Sequence, residues 1–466
     1  FDFPMSGPRE SLQDKGAGMK RLLIYSHDTF GLGNIRRIMN IATYLHRAIP
    51  DLSILIVTGS PMIQSFRIPK GIDYIKLPCL SRTESEGYSA KYLESKIDDI
   101  VRLRSDLILS SVLNFKPDIM LIDKKPYGVK HELRETLSLV KSYLPRTRTI
   151  LLLRDILDAP EATTKVWEDN GYYEAVKSAY DLVLVLGTPD IFDPRVEYNF
   201  PFTASEKVEF CGYIQPQALL RDRDTVRREL QIKSAERLVL VTPGGGEDGH
   251  ALVQTYIQAL QQMPRGAHIR SLIVTGPEMS ESQRHSLNQS ALQFPGVSML
   301  EFTNDLPSYM NASDLVLSMG GYNTVCEILS LKKRAIIVPR VRPVEEQWIR
   351  AERMARLGLL ATIHPDSLTP QDLLRTVLLE LSSDQPLRPT LDLAALPTLT
   401  NHVSMLLDGT YEPARLSRIT HDGSSQARIE ARRGARSPFM SPLASGPRPL
   451  AQTLAMAPAT FMDTAV

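Results

Sequence analysis

The 466-residue chain has little of what marks exported, disulfide-built or membrane-spanning proteins. It carries three cysteines, Cys79, Cys211 and Cys326, far apart and with no Cys-x-x-Cys pair. That count excludes a disulfide scaffold or a thiolate zinc site, and reduced thiols in a cytoplasmic setting are expected. No stretch approaches the roughly 20 apolar residues needed to span a bilayer, and residues 1–20 hold no apolar segment of the signal-peptide kind. The chain is therefore expected to be neither exported nor threaded through a membrane. Charge of one sign is missing too: 54 Lys and Arg against 53 Asp and Glu leave a net charge of +1, which gives no reason to expect nucleic acid as a partner. No His, Cys or carboxylate cluster has metal-ligand spacing, so no metal is expected.

What is present is an ordinary globular composition, 43% hydrophobic and 23% charged, in a chain too long for one core. Short apolar runs recur at 22–25, 53–57, 72–77, 119–122, 150–153 and 182–186, and again at 238–241, 271–274, 297–302, 315–317 and 335–338. Most are separated by segments long enough for a helix, an alternation that implies mainly parallel sheets. Between residues 34 and 49, Ile35, Ile38, Met39, Ala42, Leu45 and Ile49 keep helical spacing. The reading is α/β: two Rossmann-like doubly wound domains facing across a cleft. The expected divisions are a flexible lead at 1–20, a first domain at 21–210, a second at 211–410 and a disordered tail at 411–466. The Gly and Pro of Cys211-Gly-Tyr-Ile-Gln-Pro216 mark the boundary, and the tail, with seven Arg and four Asp or Glu, has no long apolar face. A polyanion- or membrane-binding role for that tail is a second reading.

Four loops at expected strand ends carry the chemistry. Ser318-Met-Gly-Gly-Tyr-Asn-Thr-Val-Cys-Glu327 sets Gly320 and Gly321 between a strand and a helix, so that bare N–H groups face the gap and suit a phosphate or sugar. Glu327 lies about two turns into that helix, where a carboxylate suits a vicinal diol such as a ribose. The first loop, Ser26-His-Asp-Thr-Phe-Gly-Leu-Gly-Asn34, has Gly31 and Gly33 for close approach, Asn34 as a helix cap, and His27 with Asp28 as a pair able to move a proton. Thr242-Pro-Gly-Gly-Gly-Glu-Asp-Gly-His250 puts Gly244, Gly245 and Gly246 before a helix, a nest for pyrophosphate. Its Gly244, Gly246 and Gly249 match the GxGxxG spacing of dinucleotide sites, but the acidic residue required after the next strand is absent from Val274-Thr-Gly-Pro277. Finally, Val338-Pro-Arg-Val-Arg-Pro-Val-Glu-Glu-Gln347 offers Glu346 and Gln347 to sugar hydroxyls and Arg340 or Arg342 to phosphate. Each loop also has a plain reading as a connector or as solvated charge.

Taken in order, the glycine-rich loop, the Asn304-Asp-Leu-Pro-Ser-Tyr-Met310 segment, the Gly-Gly-x-x-Thr-x-x-Glu turn and the Val-Pro loop followed by Glu-Gln resemble the GT-B glycosyltransferases of the family 28 type. That family includes the enzyme completing the peptidoglycan lipid precursor and the monogalactosyldiacylglycerol synthases. The resemblance implies a hexosyltransferase that takes a nucleotide sugar, usually a UDP-sugar, as a substrate in its second domain, with no resident cofactor, and a hydroxyl acceptor, lipid-linked or polysaccharide, in its first. It places Gly320, Gly321, Asn323 and Thr324 at the donor phosphates, Glu327 at the ribose, Gly244 to Gly246 near the diphosphate, and Glu346 with Gln347 at the sugar. A cytoplasmic protein is implied, with peripheral contact at the inner membrane face left open. One departure bears on mechanism. Many members carry His as the acceptor base where this chain has Asn34, and an amide takes no proton at neutral pH. His27, Asp28, Asp155 and Asp158 are the substitutes at hand. The basic loop from Lys124 to Glu132 is a candidate for meeting an anionic acceptor. A nucleotide-sugar epimerase of the same fold, and a non-catalytic nucleotide-sugar binder, are the alternatives.

Overall fold

The computed structural model describes residues 18–26, 33–82, 87–217, 219–264, 266–383 and 391–411. The expected lead up to residue 17 and the expected tail from residue 412 lie outside the described residues, as do His27, Asp28 and Gly31.

Among the described residues the first half builds nine strands: β1 (Lys20–Ser26), β2 (Leu52–Thr58), β3 (Ile72–Lys76), a small antiparallel pair β4 (Leu80–Arg82) and β5 (Tyr88–Ala90), then β6 (Ile119–Asp123), β7 (Arg148–Arg154), β8 (Leu182–Leu186) and β9 (Val208–Phe210). All but the β4–β5 pair form one seven-stranded parallel sheet in the order β3-β2-β1-β6-β7-β8-β9. The second half adds β10 (Arg237–Thr242), β11 (Ile269–Val274), β12 (Val297–Leu300), β13 (Leu315–Ser318), β14 (Ala335–Ile337) and β15 (Ala361–Thr362), parallel in the order β12-β11-β10-β13-β14-β15. β8 reads Leu-Val-Leu-Val-Leu and every one of its residues is buried. Such runs need cover on both faces, which is why helices alternate with these strands. In each sheet the strand order reverses beside the first strand, between β1 and β6 and between β10 and β13, where doubly wound sheets open a crevice at the carboxyl ends of their strands.

Every apolar run read from the sequence is a strand. β9, β15 and the β4–β5 pair were not read, because segments of two or three residues show no period. β12 stops at Leu300 rather than at 302, and Phe302 turns outward instead.

The last helix does not stay with the second sheet. The chain crosses between the halves twice, at residues 211–217 and 391–395, and the two crossings pair: the Tyr213 amide donates to the Asp392 carbonyl at 2.8 Å and the Ala395 amide to the Tyr213 carbonyl at 3.3 Å. The Ala395–Leu407 helix then packs against the Gly33–Ala48 helix and β6 of the first sheet. Leu396, Leu399, Val403 and Leu406 form its buried stripe, and the Lys20 ammonium meets Asp408 at 2.9 Å. Residues 395–407, expected within the second domain, thus complete the first. The stripe dictates a helix with one apolar face, but not which sheet receives it.

Leu399→Ala is expected to cost about 2–5 kcal/mol by leaving a cavity under this helix, since Leu399 is 1% exposed. Hydrogen exchange should show the loosening in the Gly33–Ala48 helix and not in the strands of the second sheet.

Candidate functional site

The carboxyl ends of both sheets face a common cleft of about 490 Å³. Its walls come from the start of the Gly33–Ala48 helix, the end of β7 at Arg154, the segments after β2, β10, β11, β12 and β13, and the segment after β14. At the centre is the β13 turn. Gly320 has φ +73°, and a Cβ there would stand 2.5 Å from Ile337 Cγ2, so only glycine fits both the backbone and the packing. The Tyr322–Ser330 helix then begins at Gly321 with no side-chain cap, and Gly321, Tyr322, Asn323 and Thr324 line the cleft. Its first N–H groups therefore lack intrahelical partners at the cleft wall, a ready site for an anion. The His250–Leu260 helix starts in the same uncapped way behind Gly244 to Gly246. Those three glycines differ in what surrounds them. Gly246, at φ +99°, is packed so that a Cβ would meet the Thr275 carbonyl at 2.3 Å, whereas Gly244 faces open space. The β10 and β11 loops thus touch backbone to backbone, with the Glu278 amide donating to the Gly245 carbonyl at 2.8 Å.

Charge in the cleft is balanced among the described residues: four arginines (Arg36, Arg37, Arg154, Arg340) line it together with four carboxylates (Glu247, Asp248, Glu278, Glu346). Arg340 meets Asp248 at 3.1 Å and Arg154 meets Glu346 at 2.8 Å. Burial opposes ionisation of Glu346, but the charges of Arg154, Arg350, Lys124 and Arg340 outweigh it and hold the carboxyl at about 2. Glu278 moves the other way, raised by burial and then by the charges of Glu247 and Asp248. With side-chain charge cancelled, attraction for an added anion falls to the backbone N–H groups at the helix starts.

The residues named from sequence fall into distinct places. Gly33, Asn34, Gly244 to Gly246, Gly321, Asn323, Thr324, Glu346 and Gln347 all line the cleft, and Gly320 forms the turn beneath it. Asn34 lies inside the first helical turn, where its Oδ1 accepts from Arg37 Nη1 at 3.2 Å, so it does not cap the helix as expected. Asn323 Nδ2 donates to the Gly33 carbonyl at 2.9 Å, and Gln347 Oε1 accepts from the Arg340 amide at 3.0 Å. Glu327 is not in the cleft wall. Its Oε1 accepts from Arg36 Nη2 of the first domain at 2.6 Å, and its Oε2 is buried with no hydrogen-bond partner. Burial raises its pKa, partly offset by Arg36.

Asp155 is not a proton acceptor for an incoming substrate. It is 0% exposed, and Arg350 Nε and Nη2 hold its two oxygens at 2.7 and 2.9 Å, with the Tyr213 hydroxyl donating at 2.9 Å. Asp158 Oδ1 accepts from the amides of Glu345 and Ala159, at 2.9 and 2.8 Å. In the basic loop, Glu132 is buried under Arg104 at 2.6 and 2.7 Å and under the Tyr25 hydroxyl, a structural anchor rather than an acceptor contact. The sequence reading missed Arg154, Arg36 and Phe302. Phe302 is 52% exposed at the cleft, an aromatic face open to a planar group.

The depressed pKa of Glu346 sets an acid limit. Folding holds its carboxylate ionised below the ordinary value of 4.5, so its contribution, roughly 3 kcal/mol, is complete above that pH and is lost as pH falls towards about 2. Glu346→Gln is expected to remove this part of the slope of stability against pH between those limits, read from denaturant midpoints at a series of acid pH values.

Residues 238–393 match the family model described as the glycosyltransferase family 28 C-terminal domain. An uncharacterized glycosyltransferase of Methanopyrus kandleri is 26% identical over 224 residues, covering 47% of this chain and 59% of the relative. The UDP-N-acetylglucosamine--N-acetylmuramyl-(pentapeptide) pyrophosphoryl-undecaprenol N-acetylglucosamine transferase of Clostridioides difficile is 26% identical over 191 residues, covering 41% of this chain and 46% of the relative. This chain thus spans about half the length of the curated relatives it matches. Among solved structures, MurG of Acinetobacter baumannii superposes with a TM-score of 0.54 at 15% identity, covering 84% of this chain and 99% of that one. A putative UDP-N-acetylglucosamine 2-epimerase of Listeria monocytogenes gives 0.56 at 12% identity, covering 85% and 99%. At such identities the structures speak for the fold alone. Residues 238–393 are thus similar to the glycosyltransferase family 28 C-terminal domain, and the superpositions show a shared two-domain α/β fold.

Proposed function

We propose that this protein is a glycosyltransferase that moves a hexosyl group from a nucleotide sugar, a UDP-sugar in our reading, to a hydroxyl acceptor by a displacement that uses no metal. The observation that carries the reading is the Gly320-Gly321 turn, whose uncapped helix opens onto the cleft between the two sheets. As the anomeric bond breaks, negative charge builds on the departing diphosphate. The N–H groups of Gly321 to Thr324 are fixed by the fold before that charge appears, and one such donor is worth roughly 3–4 kcal/mol in a transition state. Phe302 is suited to stack on the nucleobase, while Glu346 and Gln347, with the Arg154 and Arg340 partners that hold them, are suited to the sugar.

The acceptor belongs in this reading to the first domain, with a proton-accepting group from the loop bearing His27 and Asp28. The name of the Clostridioides difficile relative specifies a pyrophosphoryl-undecaprenol acceptor, and a lipid-linked acceptor met at a membrane face is our corresponding proposal here. No helix among the described residues is long and apolar enough to cross a membrane.

Calorimetry with UDP, GDP, dTDP and their sugar conjugates, with NAD as the control, tests the donor. One nucleotide should bind selectively, and Glu327→Ala should weaken it by about 1.5–3 kcal/mol. Binding of NAD alone would sink the reading. His27→Ala is expected to abolish transfer while donor affinity is kept. Full turnover in that variant would remove His27 as the base, and release of an altered sugar without any acceptor would point to epimerisation.

A further inference from the structure

A single ion pair joins the first domain to the residue assigned above to the donor ribose. Arg36 stands in the first turns of the Gly33–Ala48 helix, and its Nη2 lies 2.6 Å from Glu327 Oε1. One turn earlier on the opposing helix, Asn323 Nδ2 grips the Gly33 carbonyl at 2.9 Å. The two partners differ in surroundings. The Arg36 side chain is 40% exposed and lines the cleft, whereas the Glu327 side chain is 3% exposed and does not reach it. The guanidinium therefore stands between the open cleft and the carboxylate. Behind it, Glu327 Oε2 is buried without a hydrogen-bond partner, a costly state for a carboxylate oxygen. A vicinal diol offers two O–H donors spaced to bridge both oxygens of one carboxylate, so a diol would satisfy Oε2 and would need Oε1 as well.

We propose that Arg36 is a specificity-determining residue that competes with the donor's ribose for Glu327: the ribose diol takes Glu327 from Arg36, and the released guanidinium pairs with the donor's diphosphate. A nucleoside alone breaks the Arg36–Glu327 pair and leaves the guanidinium uncompensated, while a nucleoside diphosphate supplies the replacement anion. The cleft thereby favours diphosphate-bearing ligands over free nucleosides, and donor binding exchanges one cross-domain contact for another. The inference rests on the donor reading given above.

Displacement calorimetry on wild type, Arg36→Ala and Arg36→Gln, with uridine, 2′-deoxyuridine and UDP, separates the two. In both variants uridine should bind roughly three- to tenfold more tightly, the gain expected from removing a part-exposed ion pair that opposes binding. 2′-Deoxyuridine, which lacks the diol, should not share that gain, and the ratio of UDP affinity to uridine affinity should fall. Unchanged or weaker uridine binding in variants of wild-type melting temperature overturns the inference, as does an equal gain for 2′-deoxyuridine. Failure of wild type to bind UDP instead overturns the donor reading and the inference with it.

Discussion

The buried pair between Asp155 and Arg350 is the constraint on which the rest of the site depends. Asp155 directly follows β7 of the first sheet, and Arg350 projects from the Glu346–Arg356 helix of the second half; both are 0% exposed. Two ions taken from water need nearly complete hydrogen bonding to be tolerated, and losing one partner of such a pair costs about 3–5 kcal/mol. The structure provides that bonding by drawing in its surroundings. Tyr213, from the crossing segment, donates to Asp155; Arg350 Nη1 donates to the Gly320 carbonyl at 3.3 Å, and Arg350 Nη2 lies 3.6 Å from Glu346 Oε2. Tyr213 also stacks on Tyr322, the first residue of the helix whose open end faces the cleft, at 5.9 Å between centroids. One ion pair thus connects the first sheet, the crossing and the turn that offers its N–H groups to a ligand.

The same economy governs the cleft. Among the described residues its arginines and carboxylates are equal in number, and Arg340 and Arg154 meet Asp248 and Glu346 across short distances. Such a site draws little on long-range attraction of anions. What it offers is geometric: peptide dipoles ending at two uncapped helix starts, held by packing in which Gly320 and Gly246 admit no side chain. Ion pairs that span the halves, such as Arg36 with Glu327 and Arg353 with Glu197 at 2.8 Å, make domain position and site geometry one problem.

The chain's own order of residues determined the two-sheet α/β architecture, because parallel strands buried on both faces need unbroken apolar runs and the helices between them need a 3.6-residue stripe. It likewise marked Gly320, Gly321 and Gly244 to Gly246, since paired glycines between strand and helix leave a local trace. Three kinds of fact had no such trace. The stripe of Leu396, Leu399, Val403 and Leu406 is equally suited to either sheet, and only the path of the crossing segment brings it to the first. Asp155 and Asp158 look like available carboxylates at a strand end, yet their partners Arg350, Tyr213 and the Glu345 amide come from 58 to 195 residues away. Glu327 stands at the spacing that suits a ribose, but that Arg36, 291 residues distant, pairs with it follows only once two domains are set face to face. Periodicity and turn chemistry are local and therefore written in the sequence; which buried charge meets which is decided by the approach of the two sheets, and only the tertiary structure holds that.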